Sequence, residues 1–253
     1  MPDFGLPDQI FHFFLVLARI GAIFAVAPAL GEAQIPMRIR AALALAVSLL
    51  LLPVVTDRLP ALPEGAGMLA WLIGRESLIG LMLAGAARLI LSALHVAGTV
   101  VAFQAGLAFT QQFDPTQGTQ SAVTASFMTF LGITLIFATD LHHLVIAAVF
   151  GSYDLLPASG PLPAGDFADL VTRLVAISFT LGLKLAAPFL VFGIVFNLGM
   201  GLLARVMPQL PVFFVALPAN ILLSFVILLI VLPAMMLVFM DAFADAIRML
   251  SGG

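Results

Sequence analysis

The sequence predicts an all-α, polytopic membrane protein of about six long, partly kinked hydrophobic helices arranged as hairpins. The first observation behind this prediction is composition. Of the 253 residues, 62% are hydrophobic and only 9% are charged, and the mean hydropathy is +1.20. A soluble globular chain carries roughly 25% charged residues. Lipid, or partner subunits as apolar as lipid, must therefore cover much of this chain.

The second observation is a series of apolar runs, separated by connectors rich in proline and glycine. The runs are 10–29, 41–55, 68–110, 122–138, 167–197 and 212–239. A bilayer-spanning helix needs about 20 such residues, so the second run is short unless it begins nearer Met37. The third is too long for one span, and is either two helices broken near 92–98 or one projecting helix. Segment 142–150 is too short to span and is interpreted as the end of a hairpin. No polar region is long enough for a soluble domain, so residues 1–253 are predicted to form a single domain.

Composition and motifs exclude several classes of function. A net charge of −3 argues against nucleic-acid binding, which needs clustered Lys and Arg. The absence of cysteine excludes disulfides and thiolate metal sites. His142 and His143 are neighbours, which on a helix separates them by about 100° and differs from the chelating i, i+4 pair. We therefore predict no catalytic residue, no metal ligand and no cofactor, and hence no enzyme.

Several charged residues lie inside the apolar runs, where each would be costly if it faced lipid. Arg75 and Glu76 stand near a helix start and are expected to reach the membrane interface. Arg19, Arg88 and Lys184 sit deeper and are predicted to be buried polar groups. They mark either subunit contacts or a wet lumen, and the sequence leaves both alternatives open.

Two ridges of small residues are predicted to let helix backbones approach closely. They are formed by Gly98, Ala102 and Gly106, and by Gly193, Asn197 and Gly201. Packing within the chain and packing between subunits both require such ridges. The sequence favours neither over the other.

The distribution of basic residues predicts an orientation. Arg38 and Arg40 lie in the first connector and Arg205 in the fifth, which by the positive-inside rule places both connectors in the cytoplasm. With six spans, both termini then lie outside. The connector containing Arg205, Pro208 and Gln209 is predicted to be a cytoplasmic docking surface.

Three stretches carry a family resemblance, and their order and spacing fit across essentially the whole chain. The first is Arg19 with Pro28, Pro36-Met37-Arg38-Ile39-Arg40 and an apolar run ending at Pro53. The second is Gly98 followed by Phe103-Gln104-Ala105-Gly106-Leu107 and Phe113-Asp114-Pro115-Thr116-Gln117-Gly118-Thr119-Gln120. The third is Asn197-Leu198-Gly199-Met200-Gly201-Leu202-Leu203-Ala204-Arg205 with Pro208-Gln209-Leu210-Pro211-Val212-Phe213. Together they resemble the FliR family of flagellar export-gate proteins, whose injectisome relatives form the SctT family. In one departure, Leu141 stands where the family often has glycine.

The resemblance implies a role in protein export. A FliR-type chain would assemble with FliP- and FliQ-type subunits, and with an FlhB-type subunit, in the bacterial inner membrane at the flagellar basal body. Unfolded flagellar proteins would pass through the resulting gate. An SctT-type subunit of a virulence injectisome is the main alternative. A secondary transporter is a further one, but it predicts an inverted repeat, and no convincing repeat is present.

The resemblance also implies that one loop closes the idle pore as a plug. The loop consists of Gln111, Gln112, Phe113, Asp114, Pro115, Thr116, Gln117, Gly118, Thr119 and Gln120. Asp114-Pro115 starts a turn, and the four glutamines supply neutral hydrogen-bonding groups that suit a wet lumen. A simple turn capped by Asp114 is the alternative.

Overall fold

The computed structural model describes residues 5–28, 30–31, 35–107, 121–158, 160, 164–209 and 212–251. Within these ranges the chain forms seven α-helices and one short 3-10 helix, and no strand. The helices are α1 (Leu6–Val26), α2 (Met37–Val55), the 3-10 helix (Thr56–Arg58), α3 (Ala66–Gln104), α4 (Ser121–Ala138), α5 (Leu141–Leu155), α6 (Ala164–Val206) and α7 (Val212–Ser251). The predicted all-α fold class is confirmed.

The number of candidate membrane spans also agrees with the sequence. Among the described residues, five helices are long and apolar enough to cross a membrane, namely α1, α2, α3, α6 and α7. Helices α4 and α5 pass the same test together but are bent by 79° at their junction, as in a broken span or a re-entrant loop, and the number is six if they count as one span. Helix α2 begins at Met37, the earlier of the two starts considered. The polytopic architecture is therefore confirmed by length and composition.

Three helices are longer than a bilayer requires. Helices α3, α6 and α7 contain 39, 43 and 40 residues, or about 60 Å each at 1.5 Å per residue. The hydrocarbon core of a bilayer is only about 30 Å thick. Of the two alternatives for the third apolar run, the structure has one continuous helix. The segment expected to end a hairpin is most of α5, which has 15 residues.

The chain forms two compact units that alternate along the sequence. Unit 1 takes its described residues from Met1–Ile90, Asp140–Leu174 and Ala244–Gly253, and unit 2 from Leu91–Thr139 and Val175–Phe243. Helices α3, α6 and α7 each contribute to both units. The single domain expected over residues 1–253 stays a prediction.

The core of unit 1 is built around one face of α1. This helix has Pro7 in its first turn, a tolerated position, and it ends two residues before Pro28. Its buried residues recur every three or four positions, as expected of a helix with one packed face. Val16, Ile20 and Ile23 pack in one cluster with buried residues of other unit 1 elements, among them Ala84 and Tyr153.

The core of unit 2 depends on close approach between helices. Ala97 and Ala102 of α3 are fully buried, as is Met128 of α4. A Cβ at Gly132 of α4 would collide with the side chain of Leu94 on α3. The small residues of α3 and α4 therefore allow these two helices to pack backbone to backbone.

Candidate functional site

A buried ion pair joins α1 to α3 inside unit 1. The Arg19 guanidinium donates through Nε to Glu76 Oε2 at 2.6 Å and through Nη2 to Oε1 at 2.9 Å. The two side chains are 0% and 1% exposed. This two-pronged geometry is the strongest form of an arginine–carboxylate contact, and it fixes the rotation of α1 against α3.

The same guanidinium also reaches α5. Arg19 donates to Ser152 Oγ at 3.0 Å and to the carbonyl oxygen of Leu156 at 2.8 Å. Its guanidinium carbon lies 4.0 Å from the ring centroid of Tyr153, a distance at which the ring face attracts a cation. These contacts give the buried guanidinium protein partners in place of water.

A second arginine, Arg75, contacts the chain just after α5, next to the Leu156 carbonyl that Arg19 binds. Its guanidinium donates to the backbone carbonyls of Pro157, at 2.8 Å, and of Ala158. Arg75 is 4% exposed and Glu76 is 0% exposed. The expectation that these two residues extend to the interface is therefore wrong. Both instead find protein partners, which compensate the cost of burying them.

A third arginine contacts α5 from the 3-10 helix. Arg58 lies 3.1 Å from a carboxylate oxygen of Asp154 and 5.2 Å from the ring centroid of Phe150. We call the set of Arg19, Arg58 and Arg75 the arginine cradle. The last carbonyls of a helix lack intrahelical partners, and the end carries partial negative charge. The cradle brings cations from three other elements to that end of α5, where Arg19 donates to the carbonyl of the C-cap residue, Leu156.

A glycine brings the two partners of the ion pair within reach. Gly80 lies one turn beyond Glu76 on α3, and so on the same face. A Cβ at Gly80 would collide with the carbonyl oxygen of Arg19 and would lie 2.9 Å from the Cβ of Ala22. The backbones of α1 and α3 therefore touch at this point, and a larger residue would separate Arg19 from Glu76.

In unit 2, a polar contact fixes the end of α3. Asn220 of α7 donates through Nδ2 to the carbonyl oxygen of Gln104, the last residue of α3, at 2.8 Å. Gly106 follows with a left-handed backbone at φ +76°, a conformation that favours glycine. A Cβ there would lie 3.1 Å from Leu217 and 3.3 Å from Asn220. The chain is thus held in one direction as it leaves α3.

One group in the described part of the chain has the composition of a metal site. The possible ligand atoms of Asp140, His142 and His143 all lie within 4.8 Å of one another. The side chains gather where α4 ends and α5 begins. The angular argument from the sequence separated the two imidazoles, whereas their ring centroids lie only 4.1 Å apart.

Comparison with known proteins identifies the family. Residues 10–246 match the family described as bacterial export proteins, family 1. The chain belongs to this family. The flagellar biosynthetic protein FliR of Caulobacter vibrioides is 39% identical over 97% of this chain and 98% of its own length. FliR of Pectobacterium carotovorum is 32% identical over 91% of the chain. The Yop proteins translocation protein T of Yersinia pestis is 28% identical over 81% of the chain.

These matches confirm the predicted resemblance to the FliR family, and the Yersinia pestis protein confirms that the resemblance extends to injectisome relatives. The function inferred from it, a subunit of the flagellar protein export machinery, is confirmed at that level. Members of this export family lie in the membrane with other export components. The particular partners and the particular membrane belong to the proposal below.

The three polar residues predicted to be buried divide into two kinds. Arg19 is fully buried, within the cradle. Arg88 and Lys184 are exposed on this chain, and Arg88 donates to the carbonyl of Val26 at 3.1 Å. Their burial by the chain itself is therefore not observed, because both side chains point off the surface of their helices. A place for these two at subunit contacts or in a wet lumen stays a prediction.

The two small-residue ridges of this export protein are used differently. A Cβ at Gly98 would lie 2.5 Å from the Cα of Ala125, and one at Gly193 would collide with the Gln104 side chain. These glycines, with the buried Ala102 and with Gly106, are packed inside unit 2.

The rest of the second ridge faces outward. Asn197 is exposed and donates to the carbonyl of Gly193 at 2.7 Å, and a Cβ at Gly201 would meet nothing within 4 Å. Subunit packing by the two ridges stays a prediction.

The remaining predicted residues lie at the ends of long helices. Arg205 is in the last turn of α6, and Pro208 and Gln209 follow it, all three exposed. Their docking role stays a prediction. The predicted plug loop, residues 111–120, lies outside the described residues. Its role also stays a prediction, although the structure describes how α3 ends before it.

Sequence reasoning missed the partners of Arg19. Glu76, Ser152 and Tyr153 lie 57 or more positions away, and no local pattern connects them to it. One signal was available. An unpaired charge inside an apolar run is expensive, so Arg19 and Glu76, each inside such a run, are each other's natural partner. The position of Gly80 one turn after Glu76 marks where the helices meet.

Proposed function

We propose that this chain is a core subunit of the flagellar type III export gate in the bacterial inner membrane. It forms, with FliP- and FliQ-type subunits and next to an FlhB-type subunit, the channel through which unfolded flagellar proteins leave the cytoplasm. The chain contributes walls and a closure rather than catalysis. The observation that supports this function is the match to flagellar relatives along nearly the whole chain, 97% in the case of the Caulobacter protein.

The lengths of the helices support a gate that extends beyond the bilayer. Helices α3, α6 and α7 are about twice as long as a bilayer core is thick. Helix tilt alone accommodates only part of such an excess. The remaining turns must be covered by water or by other subunits, and their apolar sequence favours other subunits.

The exposed surface of α7 supports a need for partners. Leu222, Leu229 and Ile230 are 68%, 79% and 71% exposed. On α6, Lys184 is exposed within an equally apolar stretch. Lipid could cover the aliphatic residues, but it would be a poor environment for the ammonium group. A partner surface or an aqueous channel satisfies both, so the chain should be incomplete alone.

Co-expression tests this proposal. The chain expressed alone should aggregate or be degraded, and FliP- and FliQ-type partners should rescue it as a complex that survives size-exclusion chromatography in mild detergent. An unrelated polytopic protein expressed at the same level is the control and should not rescue it. A stable, monodisperse monomer would argue strongly against an obligate gate subunit.

The injectisome version of the same function is the second candidate, and the Yersinia pestis relative favours it. The two versions differ in exported substrate and not in architecture. Complementation separates them. We expect the gene to restore motility to a flagellar strain lacking its FliR, and not secretion to an injectisome strain lacking its own subunit. The reverse result would assign the chain to the injectisome.

We further propose that residues 111–120 form the plug of the idle channel. The described residues support the placement of this loop, because Asn220 and Gly106 fix the direction in which the chain leaves α3. Neutral glutamines bind exported chains only weakly, so the loop can be displaced and can return. Arg205, Pro208 and Gln209 would face the cytoplasm and dock the export apparatus below.

Shortening the loop tests the plug. Deleting 115–119 should leave the complex assembled but make cells leak small ions and solutes. A deletion of equal length in the exposed segment 61–65 is a suitable control for shortening as such. If the plug variant assembles, exports and stays as tight as the parent, residues 111–120 are only a turn.

A further inference from the structure

We propose that Asp140, His142 and His143 form a binding site for a divalent transition-metal ion, with Zn²⁺ as the best fit. Two imidazole nitrogens and one carboxylate oxygen come from four consecutive positions, and these atoms already lie within 4.8 Å of one another. The proposed export function assigns no role to these residues. The proposal does not depend on it.

Helix geometry explains why neighbouring histidines converge here. Side chains on a helix lean toward its N-terminus. His142 and His143 occupy the first turn of α5, so both rings lean toward Asp140, the residue that precedes the helix. The ring centroids are 4.1 Å apart, and His143 Nδ1 lies 3.6 Å from Asp140 Oδ1.

The distances are close to those of a filled site. Zinc bonds of about 2.0–2.2 Å in tetrahedral geometry place neighbouring ligand atoms roughly 3.3–3.5 Å apart. The distance of 3.6 Å between the Asp140 and His143 ligand atoms is close to this range. A pair of ligand atoms at the upper limit of 4.8 Å would have to approach by somewhat more than an ångström. Asp140 and His143 have side chains that are 78% and 68% exposed, so their rotation meets little resistance.

The donor set selects the class of metal. Two nitrogens and one oxygen suit borderline ions such as Zn²⁺, Co²⁺ or Ni²⁺, whereas Mg²⁺ and Ca²⁺ prefer oxygen alone. Three protein ligands leave a position open for water. The N-terminus of α5 carries partial positive charge, which opposes a cation and is offset by the Asp140 carboxylate. We therefore expect micromolar rather than nanomolar affinity.

The backbone suggests what the metal would do. Asp140 has φ 60° and is the one non-glycine residue with positive φ among the described residues. Its carbonyl accepts a hydrogen bond from the amide of His143 at 3.0 Å. A metal bridging the Asp140 carboxylate to the imidazoles would tie the same two positions together through their side chains. It would fix the start of α5.

Metal titration of the full chain, purified in mild detergent with its co-expressed subunits, tests the site. Affinity tags containing histidine must be removed, and the sample treated with a chelator and then dialysed. Zn²⁺ is measured by competition with a chromophoric indicator, and Co²⁺ by its visible absorption. The partner subunits should also be titrated without this chain, so that their own metal binding can be subtracted.

We expect one Zn²⁺ per chain, and no competition from Mg²⁺. His143→Gln and Asp140→Asn should each weaken binding by about tenfold or more, a loss typical of perturbed metal sites. His95→Gln is the matched control, since His95 is another exposed histidine, and it should bind as the parent does. Both substitutions at the site preserve side-chain polarity, and elution volume and circular dichroism will verify the fold.

Three results would overturn the proposal. The first is the absence of Zn²⁺ binding above that of the partner subunits. The second is an equal loss in the His95 control and the His143 variant, which would indicate scattered surface binding. The third is full retention of binding in both Asp140→Asn and His143→Gln.

Discussion

Replacing Arg19 by alanine should destabilise this protein more than any other single arginine substitution in the cradle. The change removes one partner of an ion pair whose side chains are 0% and 1% exposed. Glu76 would lose its counter-charge and two hydrogen bonds. Breaking a buried pair in this way costs about 3–5 kcal/mol.

Two further groups would lose their donor. The Leu156 carbonyl and Ser152 Oγ both accept from Arg19. Ser152 Oγ would keep its own donation to the Val149 carbonyl, but a buried polar group left without a partner costs about 1–3 kcal/mol. Relaxation of the cavity and entry of water will recover part of this cost, so the net loss is close to that of the ion pair alone. For a chain of this size, about 2–4 °C of melting temperature corresponds to each kcal/mol. The expected fall is therefore about 6–20 °C.

Arg58→Ala is the matched control. It also removes a cradle arginine that contacts α5, but the Arg58 and Asp154 side chains are 34% and 58% exposed. A solvent-exposed pair contributes about 0–1 kcal/mol, so the melting temperature should fall by no more than about 4 °C. The assay is thermal unfolding of the co-purified complex in detergent, monitored by the loss of helical signal in far-UV circular dichroism.

A double substitution tests the coupling. Arg19→Leu with Glu76→Leu leaves no unpaired buried charge, and apolar replacement of a whole ion pair is often nearly neutral. The double variant should therefore lose less stability than Arg19→Ala alone. Two results would refute the idea that the buried pair holds α1, α3 and α5 together. One is an equal loss of stability in Arg19→Ala and Arg58→Ala. The other is a loss in the double variant that equals the sum of the losses in Arg19→Leu and Glu76→Leu measured separately.

Three further predictions concern glycines of α3, the residue that fixes the end of α3, and the docking connector. Gly98→Ala places a Cβ 2.5 Å from the Cα of Ala125 and should cost about 1–3 kcal/mol in thermal unfolding. Gly85→Ala on the same helix meets nothing within 4 Å and should gain up to about 1 kcal/mol. Asn220→Leu removes the donor to the last carbonyl of α3, and solute-leakage assays should show a loose closure in an assembled complex. Gln209→Cys should react with impermeant maleimide only from the cytoplasmic side, and labelling only from outside would invert the topology.

The helical architecture followed from the sequence because it depends on properties that a sequence displays directly. Apolar runs of sufficient length predict membrane helices whatever their neighbours are. The start of α2 near Met37 and the burial of Arg19 could be predicted from the sequence in the same way. The choice between one helix and two in the third run was not. Glycine at position 98 is typical both of a break and of a close crossing, and only the position of Ala125 decides.

The arginine cradle was hidden for a different reason. Arg75 and Glu76 lie close to the start of an apolar run, and charges in that position usually extend to the interface. That rule concerns one helix in lipid. It fails when a neighbouring helix carries the complementary group at the same depth, here Arg19, 57 positions from Glu76. The convergence of His142 and His143 was missed because an angle around a helix axis ignores the lean along it.

Unit 1 and unit 2 show two physical solutions to one problem. Helices in lipid gain no hydrophobic free energy by associating, because lipid tails are as apolar as leucine. Unit 1 therefore adds directional charge to its backbone contact at Gly80, because Arg19 donates hydrogen bonds to three residues and also lies over the Tyr153 ring. Unit 2 uses proximity, with Gly98 and Ala125 backbones in contact. A buried ion pair tolerates one rotation of its helices, whereas a glycine contact tolerates sliding along the ridge. We infer that unit 1 is the more rigid of the two, and slower amide hydrogen exchange in α5 than in α4 would follow from it.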